Sequence, residues 1–307
     1  PVLIATASAT GLMEAAVRNA GLTRILSLVN GAFSQRFADI ARSCGFDVDV
    51  VEIPWGEAHD PEAVRAALSE GSYDAVTMAH SETSTGVLND IERLAAVVHE
   101  FDDTMVLVDS VSGFGAADLR PDDWGIDFVL TGSQKAFALP PGLSFGVASE
   151  RMMTRAAKAP NRGFYFDLEF FAKNHEKDQS PTTPALSVLF ALDVQLDRMV
   201  DEGMEARLAR HAGMAESTYA WVQSMNDRGV GLEIVAPEGY RSPAVTAIRT
   251  PDGVTGPDVT SGVAERDWLV GGGYGKLKPS TFRIGHMGDH TQEELDGLLA
   301  VLTEVLS

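Results

Sequence analysis

Six short apolar runs alternate with amphipathic stretches along the first half of this 307-residue chain. That alternation limits the possible folds more than any other feature. The runs fall at residues 25–29, 48–53, 75–79, 105–108, 128–130 and 143–148, preceded by a strand-like stretch from Val2 to Ala5. Continuous apolar runs of this length predict strands buried on both faces. Between them, residues 11–20, 34–44, 61–68 and 89–101 carry helical patterns, and Asp60-Pro61 is a helix-start signal. Strands alternating with helices predict an α/β fold, a mostly parallel sheet sandwiched by helices. In such sheets ligands bind beyond the carboxyl ends of the strands. After about Ser180 the pattern changes to long helices at 184–201 and 205–224, short runs at 229–235 and 244–248, a helix near 258–265 and a closing helix at 292–306. This predicts a smaller α+β C-terminal domain. The expected division is 1–202 for the large domain and 203–307 for the small one, with the boundary near Gly203.

The formal net charge is −20, from 24 basic and 44 acidic residues. Nonspecific nucleic-acid binding needs basic stripes, so no nucleic-acid partner is expected. No apolar run approaches the length of a membrane span and no signal segment opens the chain, so no membrane partner and a cytoplasmic location are expected. Cys44 is the only cysteine. It excludes an intrachain disulfide and a thiolate zinc cluster, and no metal site is expected. Scarce lysine beside abundant Asp and Glu suggests adaptation to high salt, where screening relieves self-repulsion.

Only six lysines occur, and Lys135 lies just past the apolar run 128–130. Burial lowers an amine's pKa, and a neutral amine can attack a carbonyl to form a Schiff base. A surface lysine at a strand end is the competing reading. Four other sites fall at strand ends or in loops. Ser8, Ala9 and Thr10 open a helix, where free N–H groups suit a phosphate, although an ordinary Ser/Thr N-cap reads the same way. Asp109 ends a valine-rich strand and is costly there unless paired; a pyridinium nitrogen would pair it, and capping of the next segment is the alternative. The run from His80 to Gly86 offers hydroxyls to a phenolic oxygen, with His80 read as structural. Arg283 in Phe282-Arg283-Ile284-Gly285 could clamp a carboxylate or form a surface ion pair.

Asp109-Ser110-Val111, Gly132-Ser133-Gln134-Lys135 and Pro140-Pro141-Gly142 together resemble the class V aminotransferases, in the alanine–glyoxylate and serine–pyruvate branch. The resemblance continues in residues 80–87, in Gly275-Lys276-Leu277-Lys278 and in Thr281 to Gly285. It implies a fold type I transferase that uses pyridoxal 5'-phosphate, working as a homodimer with shared active sites on small amino acids and 2-oxo acids. Lys135 would carry the cofactor and move the proton between substrate and cofactor. Asp109 would face the ring nitrogen, Val111 would pack on the ring, and Phe33 would stack on it where Trp is commoner. Ser84 would bond the ring oxygen, and Ser8, Ala9, Thr10 and Gln134 would hold the phosphate. Thr183 would reach the phosphate from the partner subunit, and Arg283 would bind the substrate's α-carboxylate. Ser180 stands where relatives often have Tyr, and members of the family carry a further segment before the point matching Pro1. The implied reaction moves an amino group from alanine or serine to glyoxylate or pyruvate by a ping-pong route. Phosphoserine or aspartate transamination, a desulfurase-type lyase and a non-catalytic module are the alternatives. A desulfurase needs a mobile nucleophilic cysteine, and Cys44 lies in a helical pattern.

Overall fold

The computed structural model describes residues 2–307. The first half contains β1 (Val2–Ala5), α1 (Ala9–Ala20), β2 (Arg24–Val29), α2 (Ala32–Ser43), β3 (Asp47–Glu52), α3 (Pro61–Ser69), β4 (Ala75–Ala79), a short hairpin of β5 (Ser81–Glu82) and β6 (Val87–Leu88), then α4 (Ile91–Val98) and β7 (Met105–Asp109). It continues through β8 (Phe128–Gly132), β9 (Ser144–Ala148), α5 (Glu150–Ala156), α6 (Leu168–His175) and α7 (Leu186–Glu202). The rest comprises α8 (Met204–Asp227), β10 (Glu233–Ile234), β11 (Val245–Arg249), α9 (Gly256–Ala264), β12 (Gly271–Gly272), β13 (Thr281–Gly285) and α10 (Gln292–Leu306).

Seven strands form the large sheet in the order β1-β9-β8-β7-β4-β2-β3, with β9 antiparallel to both its neighbours and the remaining pairs parallel. The continuous apolar runs are explained by what lies on each face. In β7, Met105 and Leu107 pack beneath α1, while Val106 and Val108 face the cluster built from α3 and α4. In β8, Phe128 and Leu130 join the first cluster and Val129 the second. Successive side chains point to opposite faces, so a strand covered on both sides has no polar position to spare. The predicted α/β class with a mostly parallel sheet and flanking helices is the fold observed.

A four-stranded antiparallel sheet, β10-β11-β13-β12, packs with α8, α9 and α10 around Met214, Ile248, Phe282 and Leu299. Gly203, with φ of 79°, separates α7 from α8. The short helices α5 and α6 and the hairpin β5–β6 were not evident from periodicity, because each is too brief to show one. Among the described residues no helix is long and apolar enough to cross a membrane.

One buried acid pins the strand-end loops together. Glu82 is fully buried, and its carboxylate accepts from the backbone N–H groups of Phe33 and Ser34 at the start of α2, at 3.1 and 2.9 Å. It also accepts from the Ser34 and Ser84 hydroxyls at 3.0 and 2.6 Å. A negative group at a helix N-terminus is favourable, since the first N–H groups lack intrahelical partners. Gly31 is required by this approach: a Cβ there would lie 2.3 Å from the Glu82 side chain. Glu82→Ala should therefore destabilise the fold by about 3 kcal/mol in urea unfolding, through stranded buried donors. A loss below about 0.5 kcal/mol would show that water replaces the carboxylate, a change of the size surface substitutions give.

Candidate active site

Five strands of the large sheet deliver their following loops to one edge. The loop after β1 brings Ser8, that after β2 brings Phe33, that after β4 brings Ser81 and Thr83, β7 ends on Asp109, and the turn after β8 holds Lys135. Together they line a cavity of about 200 Å³, bounded by Ser8, Ala9, Thr10, Met13, Phe33, Arg36, Ser81, Thr83, Asp109, Val111, Ser112, Gln134 and Lys135. Of the residues singled out from sequence, Ser8, Ala9, Thr10, Phe33, Asp109, Val111, Gln134 and Lys135 meet here. A larger cavity of about 330 Å³, between β1 and the 178–184 loop, has no lysine or arginine in its lining.

Asp109 is buried, and its carboxylate accepts from the backbone N–H of Val111 at 2.9 Å. Burial pushes its carboxyl up to about 7; the Val111 N–H opposes this, the Glu82 charge adds to it, and Lys135 and Arg36 pull it down. Burial pulls the Lys135 amine below its ordinary value, the Arg283 guanidinium reinforces that, and Asp109 opposes it. An amine so placed is more often neutral than a solvated lysine, which suits a nucleophile or a base. His80 lies beneath the Asp109 loop, fully enclosed, with Nδ1 2.9 Å from the Ser110 hydroxyl. Burial takes it down to about 4, so it is a neutral support and lies outside the cavity lining.

The N-terminus of α1 forms the far wall. Ser8 occupies the N-cap position, yet its side chain makes no capping bond; the Gly11 N–H donates to the Ser8 carbonyl at 2.8 Å, and the Ser8 hydroxyl and the N–H groups of Ala9 and Thr10 are free for an anion. Phe33 stands in the first turn of α2, and Arg36, three residues on along the same helix face, lies 4.9 Å over its ring. Tyr274, from the loop between β12 and β13, packs on Phe33 at 5.1 Å and accepts from Arg36 Nη2 at 2.8 Å. Arg283 on β13 is half-buried; it donates to the Gly272 carbonyl at 2.8 Å and the Thr83 carbonyl at 3.2 Å, and lies 5.7 Å over the Tyr274 ring. Burial draws its guanidinium below the ordinary value. No carboxylate pairs with Arg36 or Arg283 among the described residues.

Three expected residues fall outside the cavity lining, and one of them, Arg283, adjoins it through the Thr83 carbonyl. Ser84 does not reach the cavity. β5 ends at Glu82 and residues 83–86 form a turn, which leaves Ser81 and Thr83 in the cavity lining while Glu82 and Ser84 face α2, where Ser84 Oγ accepts from the Ala32 N–H at 3.0 Å. Thr83, hydrogen-bonded to Ser112, lines the cavity instead. Thr183 is exposed in the loop before α7 and does not line the cavity of its own chain. Arg36, Thr83, Ser112 and Tyr274 were missed from sequence. Helical spacing from Phe33 could have found Arg36. Tyr274 arrives from a distant loop, and no local pattern marks it.

The site tests well for an aromatic phosphate ester with a basic ring nitrogen. A buried carboxylate with one donor wants a second N–H, a helix N-terminus wants an anion, and an aromatic ring offers a stacking face. This arrangement belongs to the fold type I transferases that use pyridoxal phosphate. A family profile described as "Aminotransferase class-V" matches residues 7–296, and the chain belongs to that family. It is 35% identical to "Soluble hydrogenase, small subunit" of Synechococcus sp., over 100% of this chain and 80% of that protein. It is 33% identical to "Serine--glyoxylate aminotransferase" of Arabidopsis thaliana, over 100% of this chain and 77% of that one. The crystal structure of alanine–glyoxylate aminotransferase from Nostoc sp. superposes with a TM-score of 0.93 at 29% identity, covering 100% of this chain and 81% of that chain. The cofactor of the family is pyridoxal phosphate, and the residues present fit it.

Asp109 yields a test without turnover. Its folded carboxyl holds a proton up to about 7, whereas an unfolded aspartate releases it near about 3.9. Between those values the folded, cofactor-free chain binds more protons than the unfolded one, so its stability falls as pH rises from about 4 to about 7. Asp109→Asn lacks that dependence. The melting temperature of the cofactor-free variant, relative to the cofactor-free parent, should climb across this window and level off above it. A difference independent of pH would show that the carboxyl titrates normally.

Proposed function

We propose that the chain is a ping-pong transaminase that takes the amino group of alanine or serine and passes it to glyoxylate or pyruvate. The observation that carries this reading is one cavity holding a desolvated lysine, Lys135, and a buried acid, Asp109, with Arg283 adjoining it through the Thr83 carbonyl and paired with no carboxylate among the described residues. The family and its cofactor are established above; the roles of individual residues and the choice of substrates are the proposal.

Pyridoxal phosphate supplies, when bound, an aldehyde carbon that takes up an amine and a ring that draws electrons from the adjoining bond. Asp109 holds the ring nitrogen protonated, since a cation beside it returns its carboxyl to the ionised form. Ser8, Ala9, Thr10 and Gln134 hold the phosphate, and Thr83 and Ser112 offer hydroxyls to the ring oxygen. Arg283 fixes the substrate carboxylate and thereby the bond that breaks. The Nζ of Lys135, whose pKa burial lowers, would serve as the base that takes the proton from the donor's Cα and the acid that gives it back. Phe33 and Tyr274 close the remaining side and leave room for a small side chain.

A dicarboxylic donor such as aspartate is the second reading, and Arg36 is the observation that favours it: its guanidinium lines the cavity without an acid partner. Desulfurase chemistry fits poorly, because Cys44 is buried outside the cavity lining and burial pushes its thiol up. The hydrogenase name of the Synechococcus relative suggests metal chemistry supported by clustered thiolates, and this sequence has one cysteine.

The same proposal makes the working unit a homodimer with shared sites. Leu186, Phe190 and Val194 form an exposed apolar stripe on α7, at 59%, 71% and 61% exposure, directly after Thr183. Residues four apart share a helix face, and a second copy covering this one would carry Thr183 toward its neighbour's cavity.

Two experiments test this reading. Mixing the cofactor-loaded protein with single amino acids should bleach the visible band of the bound cofactor with alanine or serine, and Lys135→Ala should lack that response. A bleach confined to aspartate would select the second reading, and no bleach with any amino acid would favour a non-catalytic module. Phe190→Asp should sediment as a monomer with at least tenfold weaker cofactor binding, about 1.4 kcal/mol; an unchanged dimer would place the interface elsewhere.

A further inference from the structure

Arg207 on α8 is 1% exposed, and its guanidinium joins three segments. Nη1 donates to Glu202 Oε2 at 2.6 Å, and Nη2 donates to Asp289 Oδ1 at 2.9 Å and to the carbonyl of Ala136 at 2.5 Å. Ala136 is the residue after Lys135. Gln195 on α7 donates to both oxygens of Asp289 at 3.0 Å. Arg210, one turn on from Arg207, donates to Glu202 at 2.6 Å and to the carbonyls of Gly288 and His290 at 3.1 and 2.7 Å.

The loop held in this way is also anchored at its base, where the Ser133 hydroxyl donates to the Pro140 carbonyl at 2.8 Å and Ala136 and Phe137 are buried, but it has few backbone bonds of its own. Ala138 N–H donates to the Lys135 carbonyl at 2.9 Å, and Leu139 N–H to the Ser133 carbonyl at 3.1 Å. Ala138 has φ of 54°, a left-handed conformation that a residue with a Cβ adopts at some cost. The turn after β13 packs against this loop. Gly288, at φ of 99°, has its missing Cβ position 3.4 Å from the Ala138 Cβ and 3.6 Å from the Lys135 carbonyl oxygen. Two carboxylates balance the charge of Arg207, so its bond to a neutral carbonyl is not needed for neutralisation. What that bond does is fix the peptide from which the lysine side chain springs.

We propose that Arg207 is a positioning residue for the proton transfer. It connects the Lys135 backbone, through Ala136, to Asp289, four residues beyond the end of the strand that carries Arg283. The two groups that must meet at the substrate, the proton-moving amine and the carboxylate clamp, are thereby held to one rigid unit. This rests on the reading of Lys135 given above.

Arg207→Lys keeps a positive charge for Glu202 and Asp289, but an ammonium lacks the planar fork that serves three acceptors in fixed directions. In single turnovers of the cofactor-loaded protein with alanine, the variant should bleach about 10- to 100-fold more slowly than the parent. The slowing should enlarge with alanine deuterated at Cα, so that the isotope effect rises, while half-saturation by alanine stays within about twofold. If Arg207→Lys does not fold, the triple change Arg207→Met, Glu202→Gln, Asp289→Asn replaces the buried ion set by neutral groups and should show the same slowing. A folded variant that bleaches at the parent's rate, or slows without a change in isotope effect, overturns the positioning role alone. A parent whose band responds to no amino acid overturns the reading of Lys135 and this proposal with it.

Discussion

Two buried carboxylates stand at the same edge of the large sheet, and the difference in how they are satisfied shapes everything around them. Glu82 is saturated by backbone and hydroxyl donors from the 33–34 and 84 segments. Asp109 receives the Val111 N–H. A buried carboxylate is costly without partners, and the fold has met that cost for one acid and left it open for the other. Glu82 is an internal fastener that sets where α2 begins and so where Phe33 and Arg36 project. Asp109 faces into a cavity beside a lysine, and the energy left unspent on it is available to a ligand that brings an N–H. A site whose acid were already satisfied would have nothing to gain from a basic ring.

Much of this was legible in the sequence, and the boundary of legibility follows periodicity. The strands at 75–79 and 105–109 and the helices from Pro61 and Gln292 fall where apolar pattern and cap residues place them, because burial on two faces and helix starts leave local signatures. Lys135, Asp109 and Arg283 stood out because each interrupts or ends an apolar run, where a charge is expensive. Ser84 falls outside the cavity because β5 ends at Glu82 and residues 83–86 turn back toward β6, a local fold that periodicity does not announce, and the hydroxyl in the cavity lining is that of Thr83. Tyr274 and Arg207 left no trace, since their contacts span 238 and 71 positions of chain. Nothing local distinguishes a tyrosine or arginine that will close such a gap from one that will face water.

The charge balance of the molecule poses a further question, because both proposed substrates are carboxylates and the chain carries −20. A uniformly acidic surface would repel them. The cavity, however, gathers Lys135 and Arg36 around Asp109, with Arg283 adjoining through Thr83. These groups are part-buried, so they are screened far less than the surface acids, whose field decays over about 8 Å at physiological salt. A carboxylate that comes within that distance meets two guanidiniums before it meets the averaged surface. Arg36 and Arg283 lack carboxylate partners in a chain where acids outnumber bases 44 to 24. Arg93, Arg155, Arg228 and Arg241 also have no acid partner among the described residues, so what sets Arg36 and Arg283 apart is that they are held beside the cavity by groups other than acids. Tyr274 does this for both, placing an aromatic face under one guanidinium and a hydroxyl against the other, contacts that hold a cation without neutralising it.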